Sequence, residues 1–191
     1  MEIILIHGLA ATKKSNWFPW LEKEIKCNLD TSVKAVSLPR PKIPKINKWI
    51  DYLYKEAANP NENTVFIAHS LGCITLLKYI EELPDDVVIG GIILISAFDN
   101  PLPLVPLINS FVAKGPNYQK IIPKIKKVKV IGSNNDLIVP LKYTKEVANQ
   151  LHTSVIEIDK AGHFTTQDGY KSFPELYRIL VEMIGIKFKK E

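Results

Sequence analysis

The stretch Thr64-Val65-Phe66-Ile67-Ala68-His69-Ser70-Leu71-Gly72-Cys73 decides how this chain folds. Its apolar run reads as a buried strand that stops at Ala68-His69-Ser70-Leu71-Gly72, where an apolar helical pattern begins. A serine at the apex of a strand–turn–helix is the arrangement of a nucleophile elbow, in which a strained turn lifts the hydroxyl above the sheet. Strand and helix backbones pass close together there, so the residues two before and two after the serine must be small. Here they are Ala68 and Gly72; the usual pattern has glycine at both, and alanine is nearly as small. Taken alone, the stretch fits a serine in an ordinary strand-to-helix loop equally well, so the flanking chain has to decide.

On either side, strands and helices alternate. Residues 3–6 form a continuous apolar run, the mark of a strand buried on both faces, and His7-Gly8-Leu9 lies at its exit. A short helix entered through Ser15–Leu21 carries Leu21 and Ile25. Val33–Ser37 is a second strand and opens into a segment with Pro39, Pro41 and Pro44, too proline-rich for regular structure. Ile46, Trp49, Ile50, Leu53 and Ala57 recur at helical spacing, giving an amphipathic helix over 46–58. The helix after the elbow carries Ile74, Leu77 and Ile80, and Pro84 helps to end it. Ile89–Ile95 reads as a fourth strand. The longest connection, 97–126, has Pro101, Pro103 and Pro106 among apolar residues and one short helix near 107–113. Val128–Ile131 is the fifth strand, 141–151 a helix, Val155–Ile158 the sixth strand, and Pro174 opens a last helix with Leu176, Ile179, Leu180 and Met183 on one face. This alternation predicts an α/β protein with a doubly wound parallel sheet covered on both faces. At 191 residues, without repeat or composition break, it reads as one domain spanning 1–191.

Composition narrows the function. Hydrophobic content of 46% and charged content of 24% are those of ordinary globular proteins, and no apolar run approaches a membrane span. Met1–Ile6 leads straight into His7-Gly8 without a basic n-region, so it reads as a strand and not a signal peptide. Cys27 and Cys73 form no disulfide framework or metal-ligand spacing, and a reducing, cytoplasmic setting fits them best. The net charge of +5 comes almost wholly from lysine, with Arg40 and Arg178 the only arginines. The denser runs Lys124–Lys129 and Lys187–Lys190 lack the arginines of a nucleic-acid surface, hold no aromatic but Phe188, and read as solvated faces. Neither nucleic acid nor membrane is an expected partner.

In a parallel α/β sheet, ligands bind at the C-terminal edge, and that rule sorts the titratable residues. His152 precedes its strand and lies at the wrong edge. His69 sits beside the serine in the elbow, where the turn is expected to point it away. His7 belongs to a His-Gly turn that suits packing. His163, in the loop after the sixth strand, is the best general base. Asp136 follows the fifth strand and Asp99 the fourth; either could be the acid, and either could equally be a turn residue or cap. Serine, then aspartate, then histidine, each at a strand exit, is the chain order of an α/β-hydrolase triad.

The sequence resembles the α/β-hydrolases, and more narrowly the small serine hydrolases related to retinoblastoma-binding protein nine. The resemblance rests on Ile6-His7-Gly8, Asn16–Leu21, His69-Ser70-Leu71-Gly72, Asp136-Leu137-Ile138-Val139-Pro140, and Ala161-Gly162-His163-Phe164 continuing through Asp168-Gly169-Tyr170 to Phe173-Pro174-Glu175. It implies a minimal α/β-hydrolase of six strands, ordered 2-1-3-4-5-6, with Ser70 as nucleophile, Asp136 as acid and His163 as base. It further implies an oxyanion hole whose second donor is the backbone N–H of Leu9; the first, that of Leu71, follows from its place at the start of the elbow helix. The family's Leu-x-Cys-x-Glu signal for retinoblastoma-type partners is absent, so no such partner is expected. The expected reaction is hydrolysis of small carboxylic esters, thioesters or amides, with no metal or organic cofactor. Acyl transfer or lyase chemistry with the same triad, and a non-catalytic binding protein on the same fold, stand as alternatives. With no room for a cap domain, the Trp17–Trp20 segment, the Phe98–Phe111 segment and Phe164 are expected to overhang Ser70. Trp17, Trp20, Phe98 and Phe164 thus become candidate lining residues of an apolar acyl site without a large lid.

Overall fold

A computed structural model describes residues 1–185. Six parallel strands, β1 (Glu2–Ile6), β2 (Ser32–Val36), β3 (Thr64–His69), β4 (Gly91–Ile95), β5 (Val128–Ser133) and β6 (Val155–Ile158), form one sheet in the order β2-β1-β3-β4-β5-β6. All five pairings are parallel, and β1 and β3 run in register from Glu2↔Thr64 to Ile6↔Ala68. This is the expected α/β class and strand order.

The near-continuous apolar strands divide residue by residue between two cores, because successive side chains leave a strand on opposite faces. Ile3, Leu5, Val65, Ile67, Ile93 and Ile95 face α1 (Phe18–Asn28) and the last helix (Pro174–Ile184). Ile4, Ile6, Phe66, Ala68, Ile92 and Leu94 face the helices α2 (Ile46–Glu56) and α3 (Leu71–Glu82), with the helix Leu141–Gln150 at the same core. Burial on both faces explains why these strands show no polar alternation in the sequence.

Apart from shifts of one or two residues at the ends of other elements, the structure differs from the sequence expectation at the fourth strand and in the connection after it. The fourth strand begins at Gly91 and not Ile89, which joins Ile125 in an isolated bridge. The long connection after β4 holds more structure than one short helix: a 3₁₀ turn at Pro106–Ile108, α4 (Asn109–Val112), α5 (Tyr118–Ile121) and a second 3₁₀ turn at Ile122–Lys124. The two helices that follow are α6 (Leu141–Gln150) and α7 (Pro174–Ile184).

The lysine run at 124–129 is not simply a solvated face. Lys124 is buried, and its Nζ donates to the carbonyls of Glu81 (3.3 Å) and Leu83 (2.5 Å) where α3 ends. Lys127 Nζ donates to the Met183 carbonyl, 2.6 Å away, in the last turn of α7. Both cations answer the unpaired carbonyls and the negative end of a helix dipole. The other run, Lys187–Lys190, lies outside the described residues. Replacing Lys124 with Met, which keeps the stem and removes the charge, is expected to destabilise the protein by about 1.5–3 kcal/mol, as for a lost charged hydrogen bond. Urea unfolding measures this, and an unchanged midpoint would show that water replaces the ammonium at no cost.

Candidate active site

Ser70 has φ 53° and ψ −122°, outside the regions that non-glycine residues favour, between the end of β3 and the first residue of α3. The strained turn is held on both sides: the Ser70 N–H donates to the Ile95 carbonyl (2.8 Å) and the Cys73 N–H to the Ser70 carbonyl (2.8 Å). Gly72 is required by close approach, since a Cβ there would lie 2.6 Å from the His7 carbonyl oxygen and 2.8 Å from that of Ile6. Ala68, by contrast, has room for its methyl within the core packed against α3.

The structure brings Ser70, Asp136 and His163 together from the exits of β3, β5 and β6. His163 Nε2 lies 3.0 Å from Ser70 Oγ, and His163 Nδ1 lies 2.8 Å from Asp136 Oδ2. With a carboxylate at Nδ1, that nitrogen carries the proton and Nε2 is free to accept from the serine. Asp136 Oδ1 accepts the N–H groups of Ile138 and Val139, each at 2.9 Å, and Oδ2 also accepts the Ser96 hydroxyl at 2.8 Å. Burial pushes the Asp136 carboxyl up. The His163 ring and these donors outweigh it and hold the group below its usual range. Asp99, the other candidate acid, instead accepts from the Tyr118 hydroxyl (2.8 Å) and Asn100.

The remaining histidines frame the site. His69 is not turned away from the base as expected: its ring centroid lies 4.8 Å from that of His163, and its Nε2 lies 2.9 Å from the His163 carbonyl oxygen. Burial, with His163 beside it, lowers its pKa to about 3, so it is neutral and Nε2 is the donor. His7 donates from Nδ1 to the Gly8 carbonyl and accepts the Leu38 N–H at Nε2, bracing the turn after β1. Burial holds its pKa down too.

That turn meets the elbow. A Cβ at Gly8 would lie 2.9 Å from Ser70 Cβ and 3.4 Å from the Leu71 nitrogen. The N–H of Leu71 opens α3 and has no intrahelical acceptor. No hydrogen bond joins it, or the N–H of Leu9, to another described residue.

Several residues that hold His163 in place carried no role in the sequence reading. Asp168 Oδ2 accepts the N–H groups of His163 (3.1 Å) and Thr165 (3.0 Å) and the Thr165 hydroxyl. Asn135 Oδ1 accepts the Gly162 N–H at 2.7 Å, and Ser133 Oγ accepts the Ala161 N–H. Ser96 could have been found by the rule that selected Asp136, since it too stands at a strand exit.

A cleft of about 390 Å³ opens over Ser70. Leu9, Leu71, Leu102, Val105, Ile108 and Ile138 are among its lining residues, with His69 and His163. None of the four aromatic candidates lines it. Trp17 is buried and stacks on Phe18 at 4.2 Å, Phe164 is buried against Phe173 at 5.2 Å, and Phe98 is buried in the core of the other face. Trp20 sits half-buried, edge-on to Tyr177. Large rings gain most from full burial, so in these loops they are taken into the two cores. The cleft is left to aliphatic side chains, and Leu104 at its rim is 73% exposed.

Comparison with known proteins agrees with this geometry. A family model described as serine hydrolase matches residues 3–182. The chain is 35% identical over 179 residues to the putative hydrolase YdeN of Bacillus subtilis, covering 94% of each chain. The crystal structure of that gene product superposes with a TM-score of 0.92 at 34% identity, over 97% of this chain and 99% of that one. The serine hydrolase RBBP9 of Rattus norvegicus is 24% identical over 88% of this chain and 86% of its own.

Proposed function

The chain belongs to the serine hydrolase family, and from that premise we propose that it cleaves small carboxylic esters, thioesters or amides through an acyl-enzyme on Ser70. The observation that carries this reading is the unbroken hydrogen-bonded relay Ser70–His163–Asp136 beneath an apolar cleft.

A serine hydroxyl is a poor nucleophile at neutral pH, so its proton must leave as the new bond forms. His163 Nε2 takes that proton while Ser70 Oγ attacks the acyl carbonyl. Asp136 holds the imidazole in the required tautomer and stabilises the imidazolium. The N–H groups of Leu9 and Leu71 supply donors for the charge on the tetrahedral oxygen, each worth about 10²–10³ in rate. Collapse expels the alcohol, thiol or amine, which takes the proton from His163. Water then gives a proton to the same nitrogen as it attacks the acyl-enzyme; the bond from the acyl carbon to Ser70 Oγ breaks, Oγ takes the proton back from His163, and the carboxylic acid leaves. Two free thiols, Cys27 exposed and Cys73 buried, favour a cytoplasmic setting.

Labelling by a fluorophosphonate probe tests the reading. Stoichiometric modification that stops at Ser70 is expected, and failure to label the folded protein would refute it. Acyl-chain preference gives a second test. Each methylene buried in the cleft contributes about 0.8 kcal/mol, or roughly fourfold in kcat/KM. Across p-nitrophenyl esters, kcat/KM is expected to rise from acetate towards hexanoate and to be far lower for palmitate than for hexanoate, with no jump above the aggregation threshold. Fastest turnover on the longest chains, with such a jump, would make the 98–113 segment a lid.

A further inference from the structure

Two loops at the C-terminal edge of the sheet, those that follow β1 and β2, carry charge of a single sign. The loop from β1 to α1 holds Lys13 and Lys14, and the loop from β2 to α2 holds Arg40, Lys42 and Lys45; residues 7–17 and 37–45 contain no carboxylate. All five cations are exposed, and none forms an ion pair with a described residue. Elsewhere Lys26, Lys34, Lys78, Lys126 and Lys145 each meet a glutamate within 3.3 Å, while other cations such as Lys23 and Lys120 also stand outside ion pairs with described residues.

The second loop and the face of α2 enclose a cleft of about 450 Å³ whose lining includes Arg40, Lys45, Lys48, Lys55 and Tyr52. Asp51 is the only carboxylate among the described residues that line it, and it is engaged by Lys48 at 3.2 Å. The cleft therefore presents an excess of positive charge, with the Arg40 guanidinium able to grip two oxygens of one group. Its floor is tied to the turn that carries Leu9. The Ala10 N–H donates to the Pro41 carbonyl at 2.7 Å, the Ile43 N–H to the Arg40 carbonyl at 3.0 Å, and the Leu38 N–H to His7 Nε2. In the order β2-β1-β3, the exit of β2 lies two strand spacings, about 10 Å, from that of β3, and the loop carrying Arg40 and Lys45 leaves from there.

We propose that this cation-lined cleft binds a phosphate group carried on the alcohol or thiol portion of the substrate that Ser70 cleaves. The inference rests on the serine-hydrolase reading and names the substrate class for it: an acyl group seated in the apolar cleft, joined by an ester or thioester to a phosphorylated leaving group. A dianion matches the excess of cations better than a single carboxylate. A concave site suits a soluble phosphorylated molecule, whereas a lipid surface would call for a flat or convex face. The field of the same five loop cations would also draw such a substrate towards the site.

Two esters that differ only in the phosphate, 6-hydroxyhexyl butyrate and its 6-phosphate, form the test. The wild-type protein is expected to favour the phosphate ester in kcat/KM by about tenfold or more at low salt, mainly through KM, as one or two charge-assisted hydrogen bonds provide. The preference should shrink as salt is raised. Arg40→Glu with Lys45→Glu is expected to erase it. Lys23→Glu with Lys120→Glu, which changes net charge equally at sites away from the cleft, should retain most of it. Calorimetric titration of the Ser70→Ala protein with 6-hydroxyhexyl phosphate reads the cleft without catalysis. Binding that the Arg40/Lys45 substitutions abolish supports the site even if neither ester is hydrolysed, in which case the hydrolase reading alone fails. Equal kcat/KM for the two esters in the wild type, or equal losses in both charge variants, would overturn the proposal. So would an unchanged ester preference in the Arg40/Lys45 variant alongside lost association with phosphatidylglycerol vesicles, which would make this edge a lipid-docking face.

Discussion

Replacing Ser70 with alanine is expected to lower kcat for p-nitrophenyl butyrate by about 10⁶ and to abolish fluorophosphonate labelling, with the folded state retained. Among the described residues the side chain's only hydrogen bond is to His163 Nε2, while the backbone bonds that hold the elbow, from the Ser70 N–H to Ile95 and from the Cys73 N–H to Ser70, do not involve it. Stability should therefore change by about 1 kcal/mol or less, the net worth of one hydrogen bond. Activity measured beside circular dichroism separates the two effects. Labelling at wild-type level in the variant would place the nucleophile elsewhere.

Asp136→Asn is expected to lower kcat by about 10⁴. The carboxylate has all its acceptor positions filled, by the N–H groups of Ile138 and Val139 on one oxygen and by Ser96 and His163 on the other. An asparagine can keep its oxygen on the two backbone groups, but its NH₂ then faces His163 Nδ1. That turns the imidazole into the tautomer with a proton on Nε2, which cannot accept from Ser70. Asp99→Asn touches only the bonds with Tyr118 and Asn100 and is expected to leave kcat within about twofold, the scale of a surface change of some 0.5 kcal/mol. If the Asp99 variant suffered the larger loss, the two aspartates would exchange roles.

The choice between those aspartates marks a boundary in what could be read from the chain. Both follow strands that lie side by side in the sheet, and the sequence places both at the correct edge. Direction separates them: Asp136 is turned inward by the two N–H groups it caps, two and three residues ahead of it. Asp99 is drawn to Tyr118, a partner 19 residues away in a connection without readable periodicity. Lys124 and Lys127 show the same limit. Their run looked solvated because nothing local reports that the ends of α3 and α7 are packed beside it.

By itself the sequence determined the six strands, their covering helices, and the presence of Ser70, Asp136 and His163 at strand exits. These are local matters: apolar runs select buried strands, 3.6-residue spacing selects helices, and a short loop at a strand's end can only open at the sheet's edge. The tertiary structure decided which loop side chains face the cleft. Aromatic residues such as Trp17, Phe98 and Phe164 bury the most surface, so the cores on the two faces claim them, and Leu102, Val105, Ile108 and Ile138 are left around Ser70. It also decided that Lys13, Lys14, Arg40, Lys42 and Lys45 share one edge, because β1 and β2 pair in parallel and send both loops out on the same side. Side-chain direction in a loop has no period to read; it is fixed only by what packs against it.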